Sequence, residues 1–526
     1  MVSLQRQRFD FSEKVGLDYL RTLSPTAYIP IGVVSGAFGD SEQDIARLGG
    51  RGFRWPTFSE SNTTTAANLT YRFIKDLEKE GNSEKLKKYP IKRWAFLTET
   101  GSDGGIPDLE YAFSVVSSRL LNEDERKYKP IVESSLRYTW MLPIIFNCGS
   151  GGPMLDVYLP ALALEMDSSA AFISVDTSAY DKDYSGKNAH WTVGSGGTLG
   201  WITPEARVMY FDRKASASYN MNEFGFTKYW SKHVPKTHGM ASLIAYDYMG
   251  IKAYEQLEMR YELQRAEYFI WHVPFVEQPK VFYTLPYVHN LRHYDPDAYA
   301  RLIADPSIGP EKLNGFKSFS DMLDEKFTSF NRNGEGLSDA EILAMLEKDQ
   351  QIRDHLGWLK GVRRSPGFER ELETKQVTPA LRNNEERGNM YANGTFGMVG
   401  GLLEHGQVYE GMPGLVGFFG SGGIASLFGS AIAGEQKTIK QERIFIDKNS
   451  KVQLDKSQYL QLYYALLQEE SKRTTTGEDL VEKDLKFLGR DTLTPGFHMR
   501  RRYQDGTGDW VFVDDDGMMS EVHRRY

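Results

Sequence analysis

Short apolar runs alternate with segments of helical periodicity along most of this chain, and this alternation constrains the fold more than any other feature. The runs RWAFLTET (93–100), LPIIFNC (142–148) and AAFISVD (170–176) have the length of buried strands, and apolar residues recur at helical spacing between them. Strands that alternate with helices predict a layered α/β protein. With 526 residues, the chain can form two or three structural units, or one large domain built from a duplicated half.

Later segments extend the pattern. The runs GGTLGWIT and ARVMYFD predict a neighbouring pair of strands, and YFIWHVPF (268–275) predicts a strand that ends on a histidine. The stretch GLVGFFGSGGIASLFGSAIAG (414–434) predicts a strand, a glycine turn and then a helix. Residues 300–385 are charged and helical in pattern, which predicts a solvated helical insertion.

The tetrapeptide Gly-Ser-Gly-Gly occurs three times, each time beside a strand-like run, at 149–152, 194–197 and 420–423. Glycine turns at strand ends allow close backbone approach. Three copies suggest that these strand ends converge on one place.

Composition excludes several classes of function. Hydrophobic residues make up 40% and charged residues 25%, and the net charge of −8 gives no electrostatic footprint for nucleic acid. A single cysteine excludes an internal disulfide framework and a cysteine-rich metal site, and it fits a reducing compartment. The N-terminal segment lacks an apolar signal core, and no apolar run is long enough to span a membrane. These features predict a soluble cytoplasmic protein without a metal site.

The single cysteine, Cys148, lies between a strand-like run and a glycine-rich turn that leads into a helix. A thiolate nucleophile needs a lowered pKa, access and a nearby oxyanion site, and the N-terminus of a helix favours all three. The alternative is that Cys148 is one small buried side chain among many, because cysteines that form no disulfide are often buried and inert.

Two other residues have the same two interpretations. Glu99 lies between two threonines at the end of an apolar run. It is either a base whose pKa is raised by desolvation, or a carboxylate that accepts hydrogen bonds from backbone N–H groups at the start of a helix. His272 is embedded in an apolar run, as either a core histidine or a site residue. The residues from Gly420 to Ala425 match a dinucleotide fingerprint, but no acidic residue follows at the expected distance, which argues against nicotinamide binding.

A series of segments, in order over nearly the whole chain, resembles the motifs of one family: FLTET, CGSGGP, DTSAY, GSGGTLGW, WHVPF, GNMYANGTFG, GLVGFFGSG and the tail GDWVFVDDDGMMSEVHRRY. Together they are similar to the 3-hydroxy-3-methylglutaryl-CoA (HMG-CoA) synthases, which are thiolase-fold condensing enzymes. The resemblance implies an α/β fold of duplicated βαβαβαββ halves in five layers. It implies a first half over 14–215, a second half over 216–470 with the helical insertion at about 300–385, and a C-terminal extension over 471–526 that packs on the core.

The resemblance also implies a mechanism. Cys148 would take an acetyl group from a thioester, Glu99 would remove a proton from its methyl group, and His272 would orient the ketone of a 3-ketoacyl thioester. The substrate-binding residues that it implies are Asp176, Asn389, Tyr391, Asn393, Gly420, Ser421 and Lys280. The substrates would be thioesters of CoA or of an acyl carrier protein. The resemblance further implies no metal or organic cofactor and a homodimer.

Three departures from the family motifs leave alternatives open. Glu277 stands where the family has a lysine expected to meet the CoA phosphates, and its charge opposes theirs. This favours, as an alternative, a carrier-protein-dependent synthase that installs β-branches on polyketides. Gly149 and Gly394 replace a tyrosine and a serine of the motifs, and they motivate a second alternative, a non-catalytic scaffold subunit that keeps the fold.

Overall fold

A computed structural model gives the fold. It describes residues 6–79, 83–98, 106–137, 139–144, 148–176, 189–192, 194–221, 226–227, 236–237, 240–313, 315–333, 339–420, 423–434, 451–472, 478–503 and 508–523.

A sheet of nine strands forms the centre. In spatial order its strands are β11 (Tyr268–Ile270), β12 (Pro413–Gly420), β13 (Ile424–Ile432), β8 (Met209–Asn220), β1 (Gly16–Leu23), β7 (Gly196–Thr203), β6 (Ser169–Asp176), β4 (Ile91–Leu97) and β5 (Trp140–Ile144). Smaller sheets contain β14 (Val452–Gln453), β2 (Ala27–Pro30) and β3 (Gly52–Trp55); β9 (Phe226–Thr227) and β10 (Lys236–Thr237); and β15 (Gly496–Arg502), β16 (Gly508–Val513) and β17 (Met519–Val522).

The first nine described helices in chain order are α1 (Ile31–Phe38), α2 (Glu42–Ala46), α3 (Asn62–Lys79), α4 (Ser83–Lys88), α5 (Ile106–Ser135), α6 (Gly151–Leu164), α7 (Met240–Glu258), α8 (Gln278–Tyr294) and α9 (Pro296–Ala304). The later helices are α10 (Phe319–Asn333), α11 (Asp339–Lys348), α12 (Gln350–Arg363), α13 (Pro366–Thr374), α14 (Val377–Leu381), α15 (Ala392–His405), α16 (Lys456–Lys472) and α17 (Leu480–Leu488).

The sheet topology contains an internal repeat. In the first half, β4 is parallel to β6, β6 is antiparallel to β7, and β7 is antiparallel to β1. In the second half, β11, β12, β13 and β8 repeat the same neighbours in the same directions. The two halves join where β1 meets β8, through the pairs Gly16–Tyr210 and Leu17–Met209. The sheet order therefore shows the duplication that the sequence predicts.

Two helices lie between the halves. Helix α6 packs on β8, β12 and β13 of the second half as well as on β6, and α15 packs on β1, β6 and β7 of the first half as well as on β11 and β12. Helix α3 covers the outer face of the first half, and α7 covers that of the second half. The two halves of the nine-stranded sheet therefore form separate layers, with α6 and α15 between them and α3 and α7 outside them. This order of helix, sheet, helix, sheet, helix gives five layers.

Two predictions about strands are wrong. Strands β7 and β8 are not neighbours, because β1 pairs between them. The segment after Gly420 forms the second strand of a hairpin, β13, where the sequence predicts a helix. Strand β13 pairs on both sides, with β12 and β8, and its buried position explains why it is apolar on both faces. Because a strand follows the glycines, the hairpin lacks the helix that a dinucleotide fingerprint requires.

The C-terminal segment is held by a buried carboxylate. Asp484 on α17 accepts hydrogen bonds from Thr57 Oγ1 and from the N–H groups of Phe58 and Ser59, each at 2.8 Å, and from Ser59 Oγ at 2.5 Å. Ser59 Oγ also lies 3.0 Å from Nδ1 of His498 on β15.

Across the part of the chain that the structure describes, no helix is both long and apolar enough to cross a membrane.

Candidate active site

Cys148 lies just before α6, and its side chain is buried. The following glycines allow α6 to begin against the β12–β13 hairpin. A side chain at Gly149 would lie 2.7 Å from Ile424 Cγ2 and 2.8 Å from the backbone nitrogen of Gly420, and one at Gly151 would lie 2.3 Å from the ring of Phe418. Gly149 therefore leaves no room for the tyrosine of the family motif, and its replacement follows from close packing.

The glycine tetrapeptides partly converge, as the sequence predicts. The first and third meet directly, because Gly149 lies against Gly420. The second reaches the start of α15, where Asn393 Nδ2 donates to the carbonyl oxygen of Gly196 at 3.3 Å. Gly420 is thus next to the turn that carries Cys148, at the end of β12. Ser421 lies outside the described residues.

His272 follows β11 by two residues and is almost fully buried. Burial lowers the pKa of His272 from 6.5 to about 3, so its imidazole is neutral at physiological pH. Nδ1 of the ring has no hydrogen-bond partner among the described residues. A buried, neutral imidazole with an unused nitrogen can exchange a hydrogen bond with a bound ligand.

Tyr246 on α7 lies beside His272 and belongs to none of the sequence motifs. Its hydroxyl donates to the carbonyl oxygen of His272 at 2.6 Å, and its ring meets that of Phe419 at 4.7 Å. Burial raises the pKa of Tyr246 well above its usual value, and charges on Asp247 and Cys148 raise it further. Nothing in the local pattern of α7 marks this tyrosine, since only the fold brings it to Cys148 and His272.

The segment before α15 is strained. Tyr391 is fully buried in the same apolar cluster as Cys148, and its backbone has φ 56° and ψ −127°. Such a conformation costs about 1–3 kcal/mol for a residue with a side chain, and it is typical of functional sites. Asn389 holds it, because its Oδ1 accepts the N–H of Tyr391 at 2.8 Å while its own N–H donates to Thr192.

Two further residues of this segment face the site region. Asn393 is fully buried, and its Oδ1 has no hydrogen-bond partner within the described ranges. Gly394 packs on the residue after His272: a side chain there would lie 3.1 Å from the carbonyl oxygen of Val273. A serine at 394 would need this backbone to shift by a few tenths of an ångström, so the glycine fits the close packing.

Asp176 ends β6 and is fully buried. Its Oδ1 accepts a hydrogen bond at 3.2 Å from Thr98 Oγ1, and Thr98 is the residue before Glu99. Asp176 therefore holds the end of β4, the strand that leads into Glu99. Glu99 itself lies outside the described residues, so its predicted role as the base stays a prediction.

Lys280 lies in the first turn of α8. Its Nζ donates to Glu277 Oε1 at 2.6 Å, and both side chains are partly exposed. The glutamate that replaces the expected lysine therefore pairs with the lysine that remains nearby. The pair has no net charge, whereas an isolated lysine carries one positive charge, so the pair attracts a phosphate less strongly.

The geometry brings a cysteine at a helix start, a glycine turn and a neutral histidine into one buried region. A thiolate, backbone N–H donors and an uncharged hydrogen-bonding group suit acyl transfer through a thioester. In the part of the chain that the structure describes, no three His, Cys, Asp or Glu side chains are grouped so as to hold a metal ion.

No protein-family model matches the sequence, and comparison with curated proteins finds no match. Solved structures match over nearly the whole chain. The HMG synthase of the curacin biosynthetic pathway, in complex with acetyl donor-ACP, aligns with a TM-score of 0.65 and 14% identity, over 95% of this chain and 100% of that one. MvaS in complex with 3-hydroxy-3-methylglutaryl coenzyme A aligns with a TM-score of 0.62 and 16% identity, over 97% and 99%.

PksG, an HMG-CoA synthase from Bacillus subtilis, aligns with a TM-score of 0.64 and 14% identity, over 95% of this chain and 100% of that one. The predicted fold is confirmed by these alignments and by the repeated sheet order. The chain has the fold of the HMG-CoA synthases, the thiolase-type α/β fold, over almost its entire length.

Proposed function

We propose that this protein belongs to the HMG-CoA synthase family and is a condensing acyltransferase. It would join an acetyl group, held on Cys148, to a 3-ketoacyl thioester. The observation that carries the proposal is the meeting of Cys148, the Gly420 turn and His272 in a chain with this fold. Fold alone does not assign an activity, and the chemistry of these residues supports this one.

The first step is acylation of Cys148. The thiolate attacks the acetyl thioester, and the free thiol of CoA or of the carrier leaves. Helix α6 begins three residues later, and the positive end of its dipole favours negative charge at the sulfur. We assign the oxyanion of the tetrahedral intermediate to the Cys148 N–H and to a second backbone donor at Gly420–Ser421, because Gly420 packs on Gly149.

The second step forms the carbon–carbon bond. Glu99 removes a proton from the methyl group of acetyl-Cys148, and the carbanion adds to the ketone carbon of the 3-ketoacyl thioester. The ketone oxygen becomes an alkoxide and takes the proton from the Glu99 carboxyl group, which regenerates the base. Neutral His272 orients the ketoacyl thioester through its unused ring nitrogen. Water then hydrolyses the Cys148 thioester and releases the product. Every step uses side chains and substrate, so we propose that no metal or organic cofactor takes part.

A second candidate function differs from the first in the carrier of the acyl groups, which would be an acyl carrier protein in place of CoA. Glu277 pairs with Lys280 at 2.6 Å, which weakens a base that would otherwise attract CoA phosphates. One solved relative in fold is a complex with an acetyl donor-ACP. A carrier-protein-dependent synthase of the polyketide β-branching type is therefore the second candidate. Acetyl-CoA remains the first, because MvaS is in complex with an acyl-CoA.

The experiment is intact-protein mass spectrometry after brief incubation with acetyl-CoA or with an acetylated acyl carrier protein. Because the chain has one cysteine, a thioester adduct can form only at Cys148. We expect a gain of one acetyl group that is absent in Cys148→Ser. An adduct from the carrier protein alone would favour the second candidate. No adduct from either donor would contradict the proposal and favour a non-catalytic scaffold.

We also propose a homodimer in the cytoplasm, where a reducing environment keeps the thiol available. Strand β5 is the edge of the nine-stranded sheet and pairs only with β4 among the described strands. Trp140 on this edge is 56% exposed, which is unusual for a large apolar side chain. An edge strand can pair antiparallel with its own copy about a twofold axis. Light scattering should give twice the chain mass. Trp140→Lys should lower this mass, and the control Met518→Lys, at an exposed methionine outside the nine-stranded sheet, should not.

A further inference from the structure

We propose that Tyr246 limits the length of the acyl group that Cys148 carries and thereby selects acetyl over longer linear groups. The inference rests on the proposed function and deepens it. It concerns a residue that the motifs do not contain and that only the packing of α7 brings to the site.

Tyr246 is held in place on several sides. Its hydroxyl donates to the carbonyl oxygen of His272 at 2.6 Å. Its ring lies 4.7 Å from that of Phe419, 5.8 Å from Phe282 and 6.3 Å from Trp271, measured between centroids, and all of these side chains are buried. In a core packed at this density, the ring cannot swing aside without displacing another aromatic side chain.

A short path of contacts leads from the ring to the cysteine that is acylated. Phe419, which Tyr246 contacts, directly precedes Gly420, and Gly420 lies against Gly149, the residue after Cys148. Charge on the Cys148 thiolate raises the pKa of Tyr246, which agrees with this proximity.

An acyl group on Cys148 would extend from the sulfur towards the contacting rings of Tyr246 and Phe419. A longer chain would have to push back Tyr246 and break its hydrogen bond to His272. Excluding one methylene from an apolar pocket is worth about 10–200-fold in rate. Butyryl adds two methylenes to acetyl, so we expect the wild-type protein to acylate at least about tenfold faster with acetyl.

The test measures initial rates of Cys148 acylation by intact mass, with acetyl-CoA and butyryl-CoA, or with the same groups on the carrier protein if that is the donor found above. We expect Tyr246→Ala to raise the butyryl-to-acetyl ratio at least about tenfold, since it opens the space of the ring. Tyr246→Phe keeps the ring and should leave the ratio near the wild-type value. Tyr246→Leu, a smaller change, should raise it if the alanine variant does not fold.

The matched control is Tyr254→Ala. Tyr254 is a buried tyrosine on the same helix, but its hydroxyl bonds to Asn290 and its ring packs beside His289. This control should leave the ratio unchanged. The inference is overturned if Tyr246→Ala and Tyr246→Leu keep the wild-type ratio, or if Tyr254→Ala raises it equally. Absence of any adduct in the wild-type protein would instead overturn the proposed function, and this inference with it.

Discussion

Replacing Asp247 by asparagine should stabilise the protein at neutral and alkaline pH but not at acid pH. Asp247 lies on α7, next to Tyr246, and is buried, and its Oδ1 has no hydrogen-bond partner in the described structure. Burial raises the pKa of Asp247 from 3.8 to about 7, although the charge of Arg363 opposes this rise. The native protein therefore holds a proton that the unfolded chain releases.

The pKa shift sets the size and sign of the effect. Below about pH 4 the carboxyl group is protonated in both states and carries no penalty. Between about pH 4 and 7 the unfolded chain loses the proton first, so the free energy of unfolding falls as pH rises. A shift of about three units corresponds to about 4 kcal/mol at pH 8. Asparagine has the same shape without a charge, so it should recover about this amount at pH 8 and little at pH 4.

The measurement is urea unfolding of wild-type and Asp247→Asn protein at pH 4, 6 and 8, with Asp167→Asn as a control. Asp167 is exposed, and its ion pair within the described residues is a long contact of 3.4 Å to Lys92. The difference in stability between Asp167→Asn and wild type should therefore depend little on pH. A difference between wild type and Asp247→Asn that stays constant from pH 4 to pH 8 would refute the reasoning. It would mean that Asp247 ionises normally in the folded protein.

Other consequences can be measured in the same way. Burial of neutral His272 contributes stability that is present above pH 6.5 and is lost as pH falls towards 3. His272→Asn should therefore be more stable than wild type at pH 4.5, by up to about 3 kcal/mol. Equal unfolding curves for the two proteins at this pH would contradict the lowered pKa. Gly149→Ala should destabilise the fold by about 1–3 kcal/mol and slow Cys148 acylation at least tenfold, because its methyl group meets Ile424; an unchanged acylation rate would exclude the close packing. Asp484→Ala leaves buried N–H and O–H groups unpaired and should cost at least about 3 kcal/mol in chemical unfolding, and a smaller loss would mean that water replaces the carboxylate.

The fold could be predicted where local pattern and tertiary structure agree. Strands β4 and β6 are short apolar runs because helices cover both faces of that half of the sheet, so their period and length are visible in the sequence. The hairpin β12–β13 could not be predicted, because an apolar run after glycines is typical of a helix and of a buried strand alike. The insertion of β1 between β7 and β8 is a long-range pairing that no local pattern encodes.

The candidate site divides in the same way. Cys148 and His272 are rare residues at strand ends, so their position in the sequence points to a role. The strain at Tyr391 depends on hydrogen bonding by Asn389, and the position of Tyr246 depends on how α7 packs on β8 and β13. Both are tertiary effects. Gly149 and Gly394 are departures from the motifs in the sequence, yet the backbone of Gly420 leaves no room for a side chain at 149, and that of Val273 leaves little room at 394. The domain boundaries at 215 and 470, and the catalytic and binding roles of all the candidate site residues, stay predictions.

The most direct test of the central claim follows one labelled acetyl group through a single turnover. Wild-type and Glu99→Gln protein are loaded at Cys148 with 13C-acetyl from the donor that labels it, and acetoacetyl thioester is then added. We predict that the wild-type adduct disappears and that labelled 3-hydroxy-3-methylglutaryl product forms, whereas Glu99→Gln keeps its adduct and forms no product. Loss of the wild-type adduct to labelled acetate alone, with no new carbon–carbon bond, would contradict the account.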